Sequence, residues 1–157
     1  TITVSHVVPK SRGAIRLRSA DPLAAPSIQC NYLDDPADAD ALVRGVHLAR
    51  RFATSSAYEG LRGEEVEPGP MARTDTDLLA FVRRAVDTIY HSAGTCRMGP
   101  RELRETVVDA ELRVKGVAGL RIADASIMPE VVNATTHAAC VMIGEKAADL
   151  VLNRRGE

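Results

Sequence analysis

Three segments of the chain carry hydrophobic residues at spacings of three and four, and this pattern constrains the fold more than any other sequence feature. The first segment begins at Asp35-Pro36, and proline is well tolerated there because a first-turn N–H has no partner within a helix. The predicted buried positions of this first helix are Leu42, Val43, Val46, Ala49, Phe52 and Ala53. The pattern therefore predicts an amphipathic helix after residue 35.

The second and third segments show the same periodicity. Thr74 and Asp77 resemble a capping box ahead of the second helix. The apolar positions that follow are Leu78, Leu79, Val82, Val86 and Ile89. For the third helix, Thr135 or Thr136 is the expected cap, and the helix is expected to run to about residue 152. Its apolar positions are Cys140, Ile143, Ala147, Leu150 and Val151.

The remaining segments favour strands. Alternating and β-branched residues predict strands over 2–8, 14–18 and, more weakly, 27–32. Short strands are expected at 107–109, 113–114 and 120–124, around Gly116 and Gly119. The sequence therefore predicts an α+β fold, a mainly antiparallel sheet with helices packed on one side, forming a single domain over residues 1–157.

The composition reduces the number of function classes that the chain could belong to. A chain of 157 residues with 45% hydrophobic and 26% charged residues can bury one core. With 20 Lys and Arg against 21 Asp and Glu, the chain lacks the basic surplus of a nucleic-acid-binding protein. The chain has five aromatic residues and no Trp, which argues against a surface that stacks on nucleic-acid bases. No apolar run is long enough to predict a transmembrane helix.

The cysteines and the first residue bear on the origin of the chain. Cys30, Cys96 and Cys140 form neither a CxxC pair nor a disulfide framework, which favours a reducing compartment, with the cytoplasm as the expectation. A periplasmic protein with free thiols would show the same pattern. The chain begins at Thr1, within a strand-like run, and is expected to be a fragment or processed product of a longer protein.

His91 is the first candidate for a chemical role. It precedes residues 94–99, in which two glycines flank Thr, Cys, Arg and Met. Glycines are costly in a helix, so this segment makes sense where the backbone must approach another group closely. The alternative is an ordinary helix C-terminus at which a cationic His91 complements the helix dipole. The residues alone leave both interpretations open.

His137 is the second candidate, because it lies in the first turn of the third predicted helix. The partial positive charge of a helix N-terminus favours a neutral imidazole there, which is a useful state for a proton acceptor. The same end offers free N–H groups to an anion. The alternative is a neutral histidine that only caps the helix. His6, in a strand, and His47, on a polar helix edge, are predicted to be structural or surface residues.

Two other chemistries are less well supported. His137 and Cys140 are three residues apart, a spacing that zinc ligands can have. Cys140 belongs to the apolar face, however, where a free cysteine packs as a small hydrophobe, so no metal site is predicted. Cys96 has no evident partner base for a nucleophilic role. Neither GxGxxG nor GxxxxGK[ST] occurs in the chain.

Residues 90–99, Tyr-His-Ser-Ala-Gly-Thr-Cys-Arg-Met-Gly, resemble the signature segment of the glucose–methanol–choline (GMC) oxidoreductases. Further segments resemble this family in the same order, so the resemblance covers nearly the whole chain. These segments are 9–13, 16–19, 21–22, 31–33, 107–109, 112–117, 120–129, 137–139 and 142–149.

The resemblance implies the C-terminal part of an FAD enzyme, with a substrate-binding sheet and the last segments that enclose the flavin. The N-terminal, Rossmann-like FAD domain, which carries GxGxxG in this family, is absent from the chain. The implied partners are therefore that missing FAD-binding half and a small-molecule alcohol. FAD is expected in the full-length protein and not in this fragment.

The resemblance also implies residue roles. His91 would be the base that takes the hydroxyl proton, while hydride passes from the alcohol carbon to flavin N5. His137 would occupy the second catalytic position, where many members have Asn and others have His, and would hydrogen-bond the alcohol oxygen. Asp124 and the Ala125 backbone would contact the FAD phosphates and ribityl chain. The Ala138 N–H would face the flavin N1–O2 edge.

Three departures from the family pattern qualify these roles. Ser92 stands where many members have Pro, and Ala134 stands where Gly is frequent. His137 in place of Asn weakens a specific assignment to choline oxidation. Five aromatic residues do not suffice for an aromatic cage around a quaternary ammonium, although the missing half could contribute others. The implied activity is oxidation of a primary alcohol, choline-like, aliphatic or aryl, to an aldehyde. The alternative is a non-catalytic binding or assembly module that has lost its FAD-binding half.

Overall fold

The computed structural model describes residues 1–152, and these residues group into two compact units. The first unit is Thr1–Ile89, and the second begins at Tyr90. Each unit has its own cluster of buried hydrophobic residues. The expectation that the chain is a single domain stays a prediction.

Two helices form the core of the first unit. Helix α1 spans Pro36–Ala53, and the Asp35 carboxylate caps it by accepting the Ala37 N–H at 2.9 Å. Helix α2 spans Asp75–Ala85 and begins with the predicted capping box of Thr74 and Asp77. The helices pack through four buried side chains, Val43, Val46, Leu78 and Val82.

The predicted helical faces agree with the structure except near the helix ends. Phe52 is 57% exposed although it falls on the apolar stripe of α1. The predicted continuation of α2 to Ile89 is wrong, because Val86 adopts an extended conformation and ends the helix at Ala85.

The sheet of the first unit is small. Strands β1, Ala14–Arg16, and β2, Ser27–Gln29, pair antiparallel with Ile15 opposite Ile28. The predicted strands 14–18 and 27–32 are therefore confirmed only in part. The predicted strand at 2–8 is wrong, since those residues pair with no described strand. Gly13 lets the two strands approach, because a Cβ there would collide with the Gln29 carbonyl oxygen.

The second unit packs one helix over a set of turns. Helix α3 spans His137–Val151, close to its predicted extent, and a short 3₁₀ helix spans Ala125–Ile127. The predicted short strands appear only as isolated bridges, which join Met98 to Val108, Val108 to Val114 and Arg113 to Arg121. The buried hydrophobic side chains are Val108, Leu112, Ile127, Met128, Ile143 and Ala147.

The described residues thus form three α-helices and a small antiparallel sheet, as an α+β fold. Among the described residues, the antiparallel sheet consists of one pair of three-residue strands, and the other extended segments make single bridges or none. None of the helices in residues 1–152 has the length and apolar character needed to cross a membrane.

Candidate active site

The signature segment and the segment at 124–128 lie side by side in the second unit. Backbone N–H groups of alternate residues in the signature segment donate to successive carbonyls of the 3₁₀ helix. The bonds are Gly94 to Ala125 at 3.3 Å, Cys96 to Ser126 at 2.9 Å and Met98 to Ile127 at 2.7 Å. Two stretches that are about 30 residues apart in sequence are therefore held in register, which fixes the backbone that follows His91.

Gly94 explains the unusual composition of this segment. Its φ is +84°, and a Cβ there would lie 3.3 Å from the Met128 carbonyl oxygen. A residue with a side chain would be strained by this backbone conformation and crowded by that oxygen. The predicted close approach therefore exists, and the group approached is the main chain at the end of the 3₁₀ helix.

His91 contacts the N-terminus of α3. Its Nδ1 lies 3.0 Å from Thr136 Oγ1, and the Thr136 backbone N–H points to the same nitrogen at 3.5 Å. Thr136 is buried and is the N-cap residue of α3, but its side chain caps no N–H of the helix. The hydroxyl group that the sequence assigned to helix capping is directed at His91 instead. Because α2 ends at Ala85, His91 is not part of the last turn of that helix.

His137 and Ala138 are the first two residues of α3, and both are exposed. The Thr136 carbonyl accepts the Cys140 N–H at 2.9 Å, which closes the first turn. The earlier N–H groups of this turn receive no side-chain cap from Thr136, so they are available to a negatively charged or developing anionic group. The structure therefore places His91 and His137 at one helix end, joined through the intervening Thr136.

Asp124 is oriented by its own turn. Its carboxylate accepts the Ser126 N–H at 2.8 Å as the N-cap of the 3₁₀ helix, and the residue remains exposed. Ala125 is half-buried and packs against the hydrophobic cluster of the second unit. Asp124 and Ala125 thus lie on the segment that is hydrogen-bonded to the signature segment.

The two histidines that were predicted to be structural or surface residues each contact a carboxylate. His6 Nε2 lies 3.0 Å from the buried Asp38 carboxylate, and His47 Nε2 lies 2.7 Å from the exposed Asp75 carboxylate. Both histidines lie in the first unit. These contacts explain the positions of the two side chains, and no catalytic role is needed to explain them.

Asp38 is an important residue that sequence reasoning missed. Its carboxylate accepts hydrogen bonds from the Lys10 N–H at 2.8 Å, the Ser11 N–H at 2.8 Å and the Ser11 hydroxyl at 2.5 Å. Burial raises the pKa of Asp38, but these bonds and the contact with His6 outweigh burial and hold its pKa well below the ordinary value of 3.8. The only sequence signal was the family-like segment 9–13, whose backbone Asp38 binds.

The described cysteines are free, and no metal cluster involves them. Within residues 1–152, no three His, Cys, Asp or Glu side chains come together as metal ligands would. Cys140 packs against the hydrophobic cluster that contains Ile143.

Comparison with known proteins identifies the class to which this fold and site belong. The sequence profile of the family described as GMC oxidoreductase matches residues 9–144, so the chain belongs to the GMC oxidoreductase family. It corresponds to the C-terminal domain of that family.

Individual relatives agree with this assignment. The chain is 42% identical to oxygen-dependent choline dehydrogenase from Sinorhizobium medicae over 98% of its length, and 43% identical to choline oxidase from Arthrobacter globiformis over 99%. It spans 28% of the length of each of these proteins. Among solved structures, pyridoxine 4-oxidase from Mesorbium loti superposes with a TM-score of 0.86 at 31% identity, over 96% of this chain and 29% of that one.

Proposed function

We propose that the full-length protein containing this chain is an FAD-dependent enzyme that oxidises a primary alcohol to an aldehyde. In this proposal, the chain supplies the base, His91, and a second polar residue for the alcohol oxygen, His137. The observation that carries this proposal is the contact of His91 with Thr136. This contact brings His91 to the N-terminus of α3, where His137 is the first helical residue. The relatives support the reaction class, since their names describe choline dehydrogenase, choline oxidase and pyridoxine 4-oxidase.

The chain offers suitable groups for the flavin. The N–H groups at the start of α3 lack a side-chain cap, and the small, exposed Ala138 does not shield them. A helix N-terminus of this kind stabilises negative charge, which fits the Ala138 N–H to the flavin N1–O2 edge. Asp124 and the Ala125 backbone would hold the phosphates and ribityl chain from the neighbouring segment. When bound, FAD supplies the hydride acceptor of the reaction.

In this proposal the two histidines have different roles toward the alcohol group of the substrate. Since Nδ1 of His91 is engaged by Thr136, the proton of the alcohol hydroxyl is taken at Nε2. His137 donates a hydrogen bond to the alcohol oxygen and orients it toward His91. A neutral imidazole is the form that can accept a proton.

The substrate class is tested with the full-length protein under anaerobic conditions. We expect the flavin absorbance to bleach on mixing with at least one alcohol from a panel of choline, short aliphatic primary alcohols and benzyl alcohol. Deuterium at the reacting carbon of that alcohol should slow the bleaching, because the carbon–hydrogen bond breaks in the step observed. A protein that binds FAD but is reduced by none of these alcohols would instead support a binding or assembly module.

A second prediction concerns the isolated chain of 157 residues. We expect it to purify without a stoichiometric flavin spectrum, because the dinucleotide-binding GxGxxG is absent from its sequence. Absorbance at the flavin maxima, compared with protein concentration, measures this directly. One equivalent of FAD in the purified chain would show that the C-terminal domain alone suffices for binding.

A further inference from the structure

We infer that Thr136 is a positioning residue for His91: its hydroxyl oxygen accepts a hydrogen bond from Nδ1–H, which leaves the Nε2 lone pair of the neutral imidazole for the substrate. This inference rests on the proposed function, because it concerns how His91 serves as a base. The relevant observation is the 3.0 Å separation of His91 Nδ1 and Thr136 Oγ1.

Two contacts at Nδ1 bear on which ring nitrogen carries the proton, and we give weight to the shorter one, made by a hydroxyl that can either donate or accept. The Thr136 backbone N–H can only donate, but it lies 3.5 Å from Nδ1, which is long for a hydrogen bond. The hydroxyl oxygen lies at 3.0 Å, within the normal range, and it can accept. A neutral imidazole carries one proton, so a proton on Nδ1 leaves Nε2 unprotonated.

The surroundings of Thr136 support a role toward His91. Thr136 is 8% exposed, and its side chain caps no N–H of α3, although N-cap threonines commonly do so. The Thr136 hydroxyl therefore contacts His91 and does not cap the helix. After His91 takes the substrate proton, the same oxygen accepts from the Nδ1–H of a cationic ring, and such charge-assisted bonds are stronger than neutral ones.

Variants of the full-length enzyme test this role. Thr136→Val removes the hydroxyl with little change in shape, Thr136→Ser keeps it, and Thr135→Val is the control at the exposed neighbouring residue. We expect Thr136→Val to lower the limiting rate of flavin reduction about tenfold with little change in KM, as for the loss of one hydrogen bond to a developing charge. Thr136→Ser should recover most of the rate, and Thr135→Val should match the wild type.

A double variant separates this inference from the proposed function. If Thr136 acts through His91, then Thr136→Val should cause no further loss when added to His91→Ala. Additive losses, or equal rates for the wild type and Thr136→Val, would overturn the positioning role while leaving His91 as the base. An unchanged rate in His91→Ala alone would overturn the proposed function itself.

The tautomer can also be measured without activity. Full-length protein labelled with ¹⁵N-histidine, compared with His91→Ala for assignment, should show a neutral ring protonated at Nδ1. Thr136→Val should reduce the population of this tautomer. A wild-type His91 protonated at Nε2 would contradict the inference, whatever the kinetics of the variants.

Discussion

Replacing His91 with Ala in the full-length protein should slow reduction of the flavin by alcohol at least about 10²-fold, the lower end for a positioned general base. The expected cause is the loss of the group that accepts the hydroxyl proton, since His91 lies at the N-terminus of α3 in contact with Thr136. Single-turnover, anaerobic mixing with alcohol gives the rate of this step alone, free of flavin reoxidation.

His47→Ala is the matched control for this experiment. His47 is a partly exposed histidine of the first unit, and it contacts Asp75 rather than any candidate site residue. We expect its flavin reduction to match the wild type. If His91→Ala binds FAD and is reduced as fast as the wild type, then His91 is not the base and the two-histidine proposal fails.

The second large effect is expected for stability. Replacing Asp38 with Asn should destabilise the first unit by about 2–4 kcal/mol, because an amide has one acceptor oxygen where the carboxylate has two. Its NH₂ group would also face the donors of Lys10 and Ser11. Amide hydrogen exchange over residues 9–13 should therefore accelerate by roughly one to three powers of ten. Mass spectrometry of the peptide that contains these residues measures this exchange.

Asp40→Asn is the control for Asp38→Asn, since Asp40 is an exposed aspartate near the start of the same helix. We expect its exchange over residues 9–13 to match the wild type. Equal exchange in the Asp38 variant and the wild type would show that the buried carboxylate does not hold this loop.

The low pKa of Asp38 also sets the direction of a pH dependence. A carboxyl with a folded-state pKa below its ordinary 3.8 contributes stability that is fully present above that value and is lost as the pH falls below it. Wild-type exchange over residues 9–13, corrected for intrinsic rates, should therefore lose protection below about pH 4. In Asp38→Asn this part of the pH dependence should be absent.

The helices were predictable because their signals are local. The spacing of apolar residues, Asp35-Pro36 and the Thr74–Asp77 pair lie within one or two helical turns of the structures they specify. The strands were predicted less well. A strand needs a partner, and alternation in one segment, as at residues 2–8, does not show that another segment is available to pair with it.

The sequence by itself determined the family and the candidate residues, because the signature segment and the segments around it are contiguous stretches that can be matched in order. Only the tertiary structure decided which groups surround them. The sequence predicts Thr136 as a helix cap, but its hydroxyl contacts a histidine 45 residues away. Asp38 reads as a first-turn acidic residue, but it binds a loop 27 residues earlier. The physical reason is that hydrogen bonds of this kind join side chains and backbone brought together by packing, and no local spacing specifies such partners.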